Sequence, residues 1–122
     1  MAMAGLRLPR SSRIKHRGDF LRAKARGERV VCGCLIANLV PRAGASDSRL
    51  GVVTSRKIGG AVARSRARRL LRQAFRLHQH DLPHPMDVIL VARQSIAGKA
   101  FAEVERDFLQ TLRRAKLVKL PE

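Results

Sequence analysis

The chain has no tryptophan and no tyrosine, and only four phenylalanines in 122 residues. Aromatic platforms for stacking are scarce, so a ligand must be held mainly by other forces. Acids are scarce as well: nine Asp and Glu stand against 26 Lys and Arg, a formal net charge of +17. Asp19, Glu28, Asp47, Asp81 and Asp87 are scattered, and no pair has the spacing of a metal-binding motif. Glu103 and Glu105 stand two apart in a helical stretch, point to different sides and read as an exposed polar face. With so few carboxylates, an independent metal-dependent nuclease is the least expected function. The two cysteines, Cys32 and Cys34, are too few for a zinc site; in "VVCGCLIANLV" they read as small apolar side chains on one face of a strand. His78, His80 and His84 cluster near a Pro-rich turn without a familiar ligand spacing, so neither a metal site nor a catalytic residue is expected. No apolar run reaches the ~20 residues of a membrane span. The opening "MAMAGLRLPR" lacks the apolar core of a secretory signal, and a cytoplasmic protein is expected.

What is present is enough for a core. Hydrophobic residues make up 45% of the chain, which argues for a folded protein despite the charge. The length suits one domain, 1–122, with residues 1–12 as an extended basic segment. "GDFLRAKARG" reads as a short helix that Asp19 can cap and Gly27 can end. Arg29–Val40 reads as a strand, "PRAGASDS" as a turn and Arg49–Thr54 as a second strand, so these two should form a hairpin. "MDVILVAR" has the apolar run of a buried central strand. A last helix is expected over Ala102–Leu117, with Val104, Phe108, Leu112 and Ala115 on one face. Helices packed on a small sheet make the fold class α+β.

The strongest feature is "GGAVARSRARRLLRQAFRLH", Gly59–His78. At 100° per residue, Ala63, Ala67, Leu70, Ala74 and Leu77 form one stripe, bordered by Leu71. Ser65, Arg68, Arg69, Arg72 and Arg76 fall opposite, flanked by Arg64 and Arg66. Like charges four apart, such as Arg68 and Arg72, cost a few tenths of a kcal/mol per pair. A merely solvated face would mix in acids, yet none occurs between Asp47 and Asp81. Guanidinium forks match phosphate oxygens, and a phosphate backbone would remove the repulsion. The expected partner is therefore nucleic acid. DNA is disfavoured, because an all-arginine face lacks the mixed side chains that read a major groove.

"TSRKIGGAVARSRARRLLRQAF", Thr54–Phe75, resembles the signature of the bacterial ribonuclease P protein component. Lys57, Ile58, Gly59, Ala61 and Val62 match that family's lead-in; Arg64, Arg66, Arg68, Arg69, Arg72 and Phe75 match its helix. "IKHRGDF" and "DVILVAR" resemble the flanking elements, and the likeness runs from about Leu8 to Leu117. The resemblance implies a small mixed four-stranded sheet packed with about three helices. It also implies a left-handed β-α-β crossover, which chain rules alone would not suggest.

The resemblance further implies a subunit of a ribonucleoprotein endonuclease that removes the 5′ leader of precursor tRNA. Its partners would be the catalytic RNA and precursor tRNA, with no DNA, membrane or partner protein required. The RNA would hold the Mg²⁺ ions and perform the hydrolysis; the protein would bind, and its arginines would lower the Mg²⁺ requirement by screening phosphate. Lys57, Arg64, Ser65, Arg66, Arg68, Arg69, Arg72 and Arg76 would hold the catalytic RNA. Phe20 and Lys24, with the sheet face, would line the leader cleft. Two departures from the family stand out. Ser65 replaces a central asparagine, while Lys24 and Leu35 stand where cleft aromatics are expected. Phe20 can equally be a core anchor of the first helix, and Phe75, Phe101 and Phe108 read as core. The alternative function is a structural RNA-binding module of ribosomal-protein type, which dependence on precursor tRNA would separate.

Overall fold

The computed structural model describes residues 13–14, 16–42 and 44–115, with Lys24 as backbone only. The expected extended segment 1–12 and the end of the expected last helix at 116–117 lie outside the described residues. In order, the elements are α1 (Arg17–Arg26), β1 (Glu28–Cys32), β2 (Leu35–Pro41), β3 (Arg49–Val53), α2 (Ala61–His78), β4 (Met86–Ala92) and α3 (Phe101–Arg114). Short 3₁₀ turns at Arg56–Ile58, Gln79–Asp81 and Gln94–Ile96 link the later elements.

The apolar run that forms β4 does take a central place, and this rearranges the expected hairpin. The strand order is β1-β2-β4-β3. β2 pairs with β4 antiparallel, Leu35 opposite Ala92 through Pro41 opposite Met86. β3 pairs with β4 in parallel, Arg49 beside Asp87 through Val53 beside Val91. The segments read as hairpin partners, β2 and β3, therefore never pair with each other. A strand apolar on both faces gains more between two neighbours than at an edge. Mixed sheet, three helices and α+β class stand as expected.

The single strand expected over Arg29–Val40 is two. It breaks at Gly33–Cys34, and β1 folds back on β2 with Cys32 opposite Leu35. Cys32 and Cys34 accordingly do not share one strand face, although both are buried. Gly33 sits at φ 57°, a left-handed conformation that side chains disfavour. A Cβ there would also collide with the carboxylate of Asp107 on α3. That carboxylate earns its place by accepting the Cys34 backbone N–H at 3.0 Å.

Alternation along the strands gives the sheet two faces. Leu35, Ala37, Leu39, Leu50, Val88 and Leu90 pack with Leu71 and Phe75 of α2 and Val104, Phe108 and Leu112 of α3. Each of these Val, Leu and Phe side chains, once buried, contributes about 1.5–3 kcal/mol. On the other face Ile14, Ala23 and Ile89 form a small cluster, joined by half-buried Phe20, Val40 and Val91. Gly27 ends α1 as expected, its N–H reaching Ala23 O at 2.8 Å. Asp19 is not the cap: His16 holds that position, and Asp19 lies in the first turn. There it pairs with Arg22 at 2.9 Å and Arg49 at 3.6 Å, a cationic pull that a cap position would not answer. The second charge of this network is stronger. Arg49 grips Asp87 with two hydrogen bonds of 2.8 and 2.7 Å, which raise its guanidinium above the usual range.

Gly33→Ala should destabilise the protein by about 2 kcal/mol through left-handed strain and the collision with Asp107. Urea unfolding of Gly33→Ala, Asp107→Ala and the double variant checks this. The double variant should lose less than the two single losses added together.

Candidate nucleic-acid interface

The approach to α2 is built from local chemistry. Ser55 Oγ accepts the Lys57 N–H at 3.3 Å and starts the 3₁₀ turn, while buried Ile58 anchors it in the core. Gly59 at φ 143° then turns the chain into the helix. Lys57 is exposed at this entrance. The first turn of α2 holds no acid and no side-chain cap, so the positive end of the helix dipole adds to the arginine charge.

Along α2 the apolar stripe is broader than the wheel suggested and is shifted. Leu71 and Phe75 are fully buried at its centre, whereas Ala63 and Leu77 are only half-buried at its margins. The cause is that α2 packs on the sheet and on α3 at once, and two partners cover a wider arc than one. The arginines consequently divide. Ser65, Arg69 and Arg76 are exposed, while Arg64, Arg66, Arg68 and Arg72 are half-buried. Arg66 Nη2 donates to Lys99 O at 2.6 Å, tying α2 to the segment before α3. Arg68 donates to Thr54 Oγ1 at 2.8 Å and to Ser65 Oγ at 3.1 Å. The hydroxyl that replaces the family's amide thus orients a neighbouring guanidinium. Burial, then the charges of Arg13 and Arg68, depress the pKa of Arg72 below the usual arginine value. Among the described residues no carboxylate forms an ion pair with any of these arginines.

The acids are engaged elsewhere. Asp19, Asp47 and Asp87, scattered in sequence, gather round Arg42 and Arg49; Arg42 meets Asp47 at 3.0 Å and Asp87 at 3.4 Å. Glu105 is not a free polar face: His78 bridges it at 2.7 Å and Asp81 at 3.1 Å. Glu103 accepts the Ala100 N–H at 3.4 Å, which with Lys99 holds its carboxyl below the usual range. Among the described residues no group of three His, Cys, Asp or Glu could hold a metal ion. No described helix is long and apolar enough to cross a membrane.

A second surface lies on the α1 face of the sheet. Phe20 is half-buried there and rests on Gly51, where a Cβ would come within 2.7 Å of its ring. The core-anchor reading of Phe20 holds, since the half-buried residue packs against the Ile14, Ala23 and Ile89 cluster. Lys24 follows one turn later on α1. Leu35 is not on this surface: it is fully buried on the opposite face. The β2 residues on the α1 side are Ile36, Asn38 and Val40, one position out of phase with it. Across the four strands, register aligns Val31, Ile36, Val91 and Val53 in one row. Val31 and Val53 are 37% and 38% exposed, so the row is an open aliphatic strip. No reading of the sequence singled out this strip, or Arg13, which bridges to Leu50 at the edge of the sheet. Only the position of the β1–β2 turn could have revealed the strip.

The ribonuclease P family model matches residues 8–116, nearly the whole chain. The chain belongs to the ribonuclease P protein family. The ribonuclease P protein component of Desulfovibrio desulfuricans is 40% identical over 111 residues, covering 88% of this chain and 85% of that protein. That of Gluconacetobacter diazotrophicus is 35% identical over 107 residues, 87% and 92% of the two chains. The Staphylococcus aureus RNase P protein structure superposes with a TM-score of 0.80 at 27% identity, covering 88% of this chain and 98% of that one. As a ribonuclease P protein component, the chain is a subunit of the endoribonuclease ribonucleoprotein that processes tRNA 5′ ends. Its association with an RNA subunit follows from the same membership.

The cysteines of this family member serve packing. Burial, with the hydrogen bond and charge of Asp107, pushes the Cys34 thiol from 9.0 up to about 12. The unfolded chain therefore releases this proton first as pH rises, so stability falls between about pH 9 and 12. Urea unfolding across that range should show a shallower fall for Cys34→Ala than for the parent.

Proposed function

We propose that the arginine side of α2 grips the phosphate backbone of the catalytic RNA, and that the α1 face of the sheet takes the single-stranded leader of precursor tRNA. The observation that carries this reading is the set of α2 arginines without a carboxylate partner among the described residues, in a chain most of whose described acids pair with other cations. Lys57, Arg64, Ser65, Arg66, Arg68, Arg69, Arg72 and Arg76 form the RNA-binding side, and Phe20 and Lys24 stand at the leader cleft. Arg69 and Arg76, exposed, are the freest to meet phosphate, whereas Arg66 and Arg68 also brace the fold. The described carboxylates do not fit a Mg²⁺ site, because those that converge are neutralised by Arg42 and Arg49. Mg²⁺ belongs to the RNA in this reading, and the protein works by binding alone. Domain 1–122 acts as one RNA-binding unit in the cytoplasm.

Cleavage of a labelled precursor tRNA at low Mg²⁺ tests the division of labour, with protein alone, catalytic RNA alone, and both. Activity is expected only in the mixture; cleavage by protein alone would overturn the reading, and an unstimulated RNA would favour a structural module. Replacing Arg69 or Arg76 by Ala should each reduce the slope of log affinity against log salt by about 0.7–0.9, with the fold unchanged. Arg66→Ala should additionally lower the unfolding midpoint, because the Lys99 carbonyl loses its donor.

A further inference from the structure

Five residues of α2 are exposed: Ala61, Val62, Ser65, Arg69 and Arg76. Val62 heads this line, since Ser65, Arg66 and Arg69 stand three, four and seven positions on and share its side of the helix. At 85% exposure it is the most open large apolar side chain among the described residues, well beyond Leu21 at 54%. The fold does not account for it. Val62 buries almost nothing, and a β-branched residue is a poorer helix former than the alanines at 61 and 63. Alanine would serve the free protein better.

The residue before the helix repeats the pattern. Gly60 holds the N-cap position at φ −73°, a value open to any residue, and a Cβ there would meet nothing within 4 Å. Serine or aspartate would cap the helix, yet the position carries no side chain. With Gly59 and Ala61 also exposed, the surface before Val62 is bare of long side chains. A partner can come close to the backbone and meet the isopropyl group first. The charge around this point selects the partner. Lys57 is exposed at the helix entrance, and among the described residues no carboxylate forms an ion pair with it or with an α2 arginine. A polyanion gains most from such charge, and RNA also offers apolar faces of bases and riboses between its phosphates. One valine is too little apolar surface for a bilayer or for the core of a protein interface.

We propose that Val62 is an apolar anchor for the catalytic RNA: its isopropyl group packs on the face of one unstacked nucleoside, while the arginines on the same side hold the flanking phosphates. This rests on the assignment of the arginine side of α2 to that RNA. Phosphates are alike at every position, so charge alone would leave the helix free to slide along a backbone. An unstacked nucleoside occurs only at particular places in a folded RNA. Val62 thereby fixes the register at which the arginine helix docks.

The test measures affinity for the catalytic RNA over a range of salt concentrations, with the parent, Val62→Ala, Val62→Leu and Arg69→Ala. An apolar contact releases no counterion, so Val62→Ala should weaken binding equally at every salt concentration and leave the slope of log affinity against log salt unchanged. The loss should be about 4- to 15-fold, the worth of one to two methyl groups no longer removed from water. Val62→Leu, which keeps the apolar contact, should stay within about threefold of the parent. Arg69→Ala should flatten the slope. Free Val62→Ala should unfold at the parent's temperature or above, which separates a lost contact from a lost fold. Parent-like affinity of Val62→Ala beside a flattened slope for Arg69→Ala would sink the anchor alone. A changed slope for Val62→Ala would sink it too, because the loss would then come from displaced arginines. Neither variant differing from the parent would remove the α2 assignment, and the proposal with it. Sedimentation of the free proteins covers the remaining occupant: a parent that self-associates, and a Val62→Ala that does not, would assign Val62 to a contact between copies and overturn the proposal.

Discussion

The fold depends on burying β4 from both sides. Its residues alternate between two cores: Met86, Val88, Leu90 and Ala92 face α2 and α3, while Ile89 and Val91 face α1. That demand needs a neighbour on each edge and cover on each face. β2 and β3 supply the edges, which forces the chain from β3 to return in parallel through α2. The arginine helix is therefore held against the sheet by the same packing that completes the core. The charged side it turns outward is a consequence of that docking.

Charge is partitioned as strictly as apolar surface. Asp19, Asp47 and Asp87 lock Arg42 and Arg49 where α1, the β2–β3 loop and β4 meet. Asp81 and Glu105 hold His78 between α2 and α3, Glu103 closes the start of α3, and Asp107 fastens the β1–β2 turn. Nearly every acid thus serves an internal joint. A cation paired internally is less available to a phosphate, and the α2 arginines have no carboxylate ion-pair partner among the described residues. The like-charge cost on α2 is a few tenths of a kcal/mol per pair, small beside the burial of Leu71 and Phe75. The helix therefore forms without RNA and stays ready for it.

Reading the sequence located α2, β4 and α3 and the residues that bury them, because helical periodicity and a long apolar run are local signals. It failed where the signal was long-range. "CLIANLV" is apolar on nearly every residue because β2 is covered on both faces, so nothing in it marks which side chains point to which core. Leu35, expected in the cleft, is instead fully buried on the opposite face. A single glycine between two cysteines concealed the turn at Gly33, whose meaning depends on Asp107, 74 positions further along the chain.

The sequence by itself determined the chemistry of the partner: an acid-free arginine helix with an apolar back, in a motif long enough to place the family. Those properties lie in residues a few positions apart, and helix geometry translates them directly into a surface. The tertiary structure alone decided the strand order, the pairing of each acid, and which row of the sheet is open. Each of these depends on residues distant in sequence meeting at one register. A shift of one residue in that register exchanges the buried and open faces of a strand.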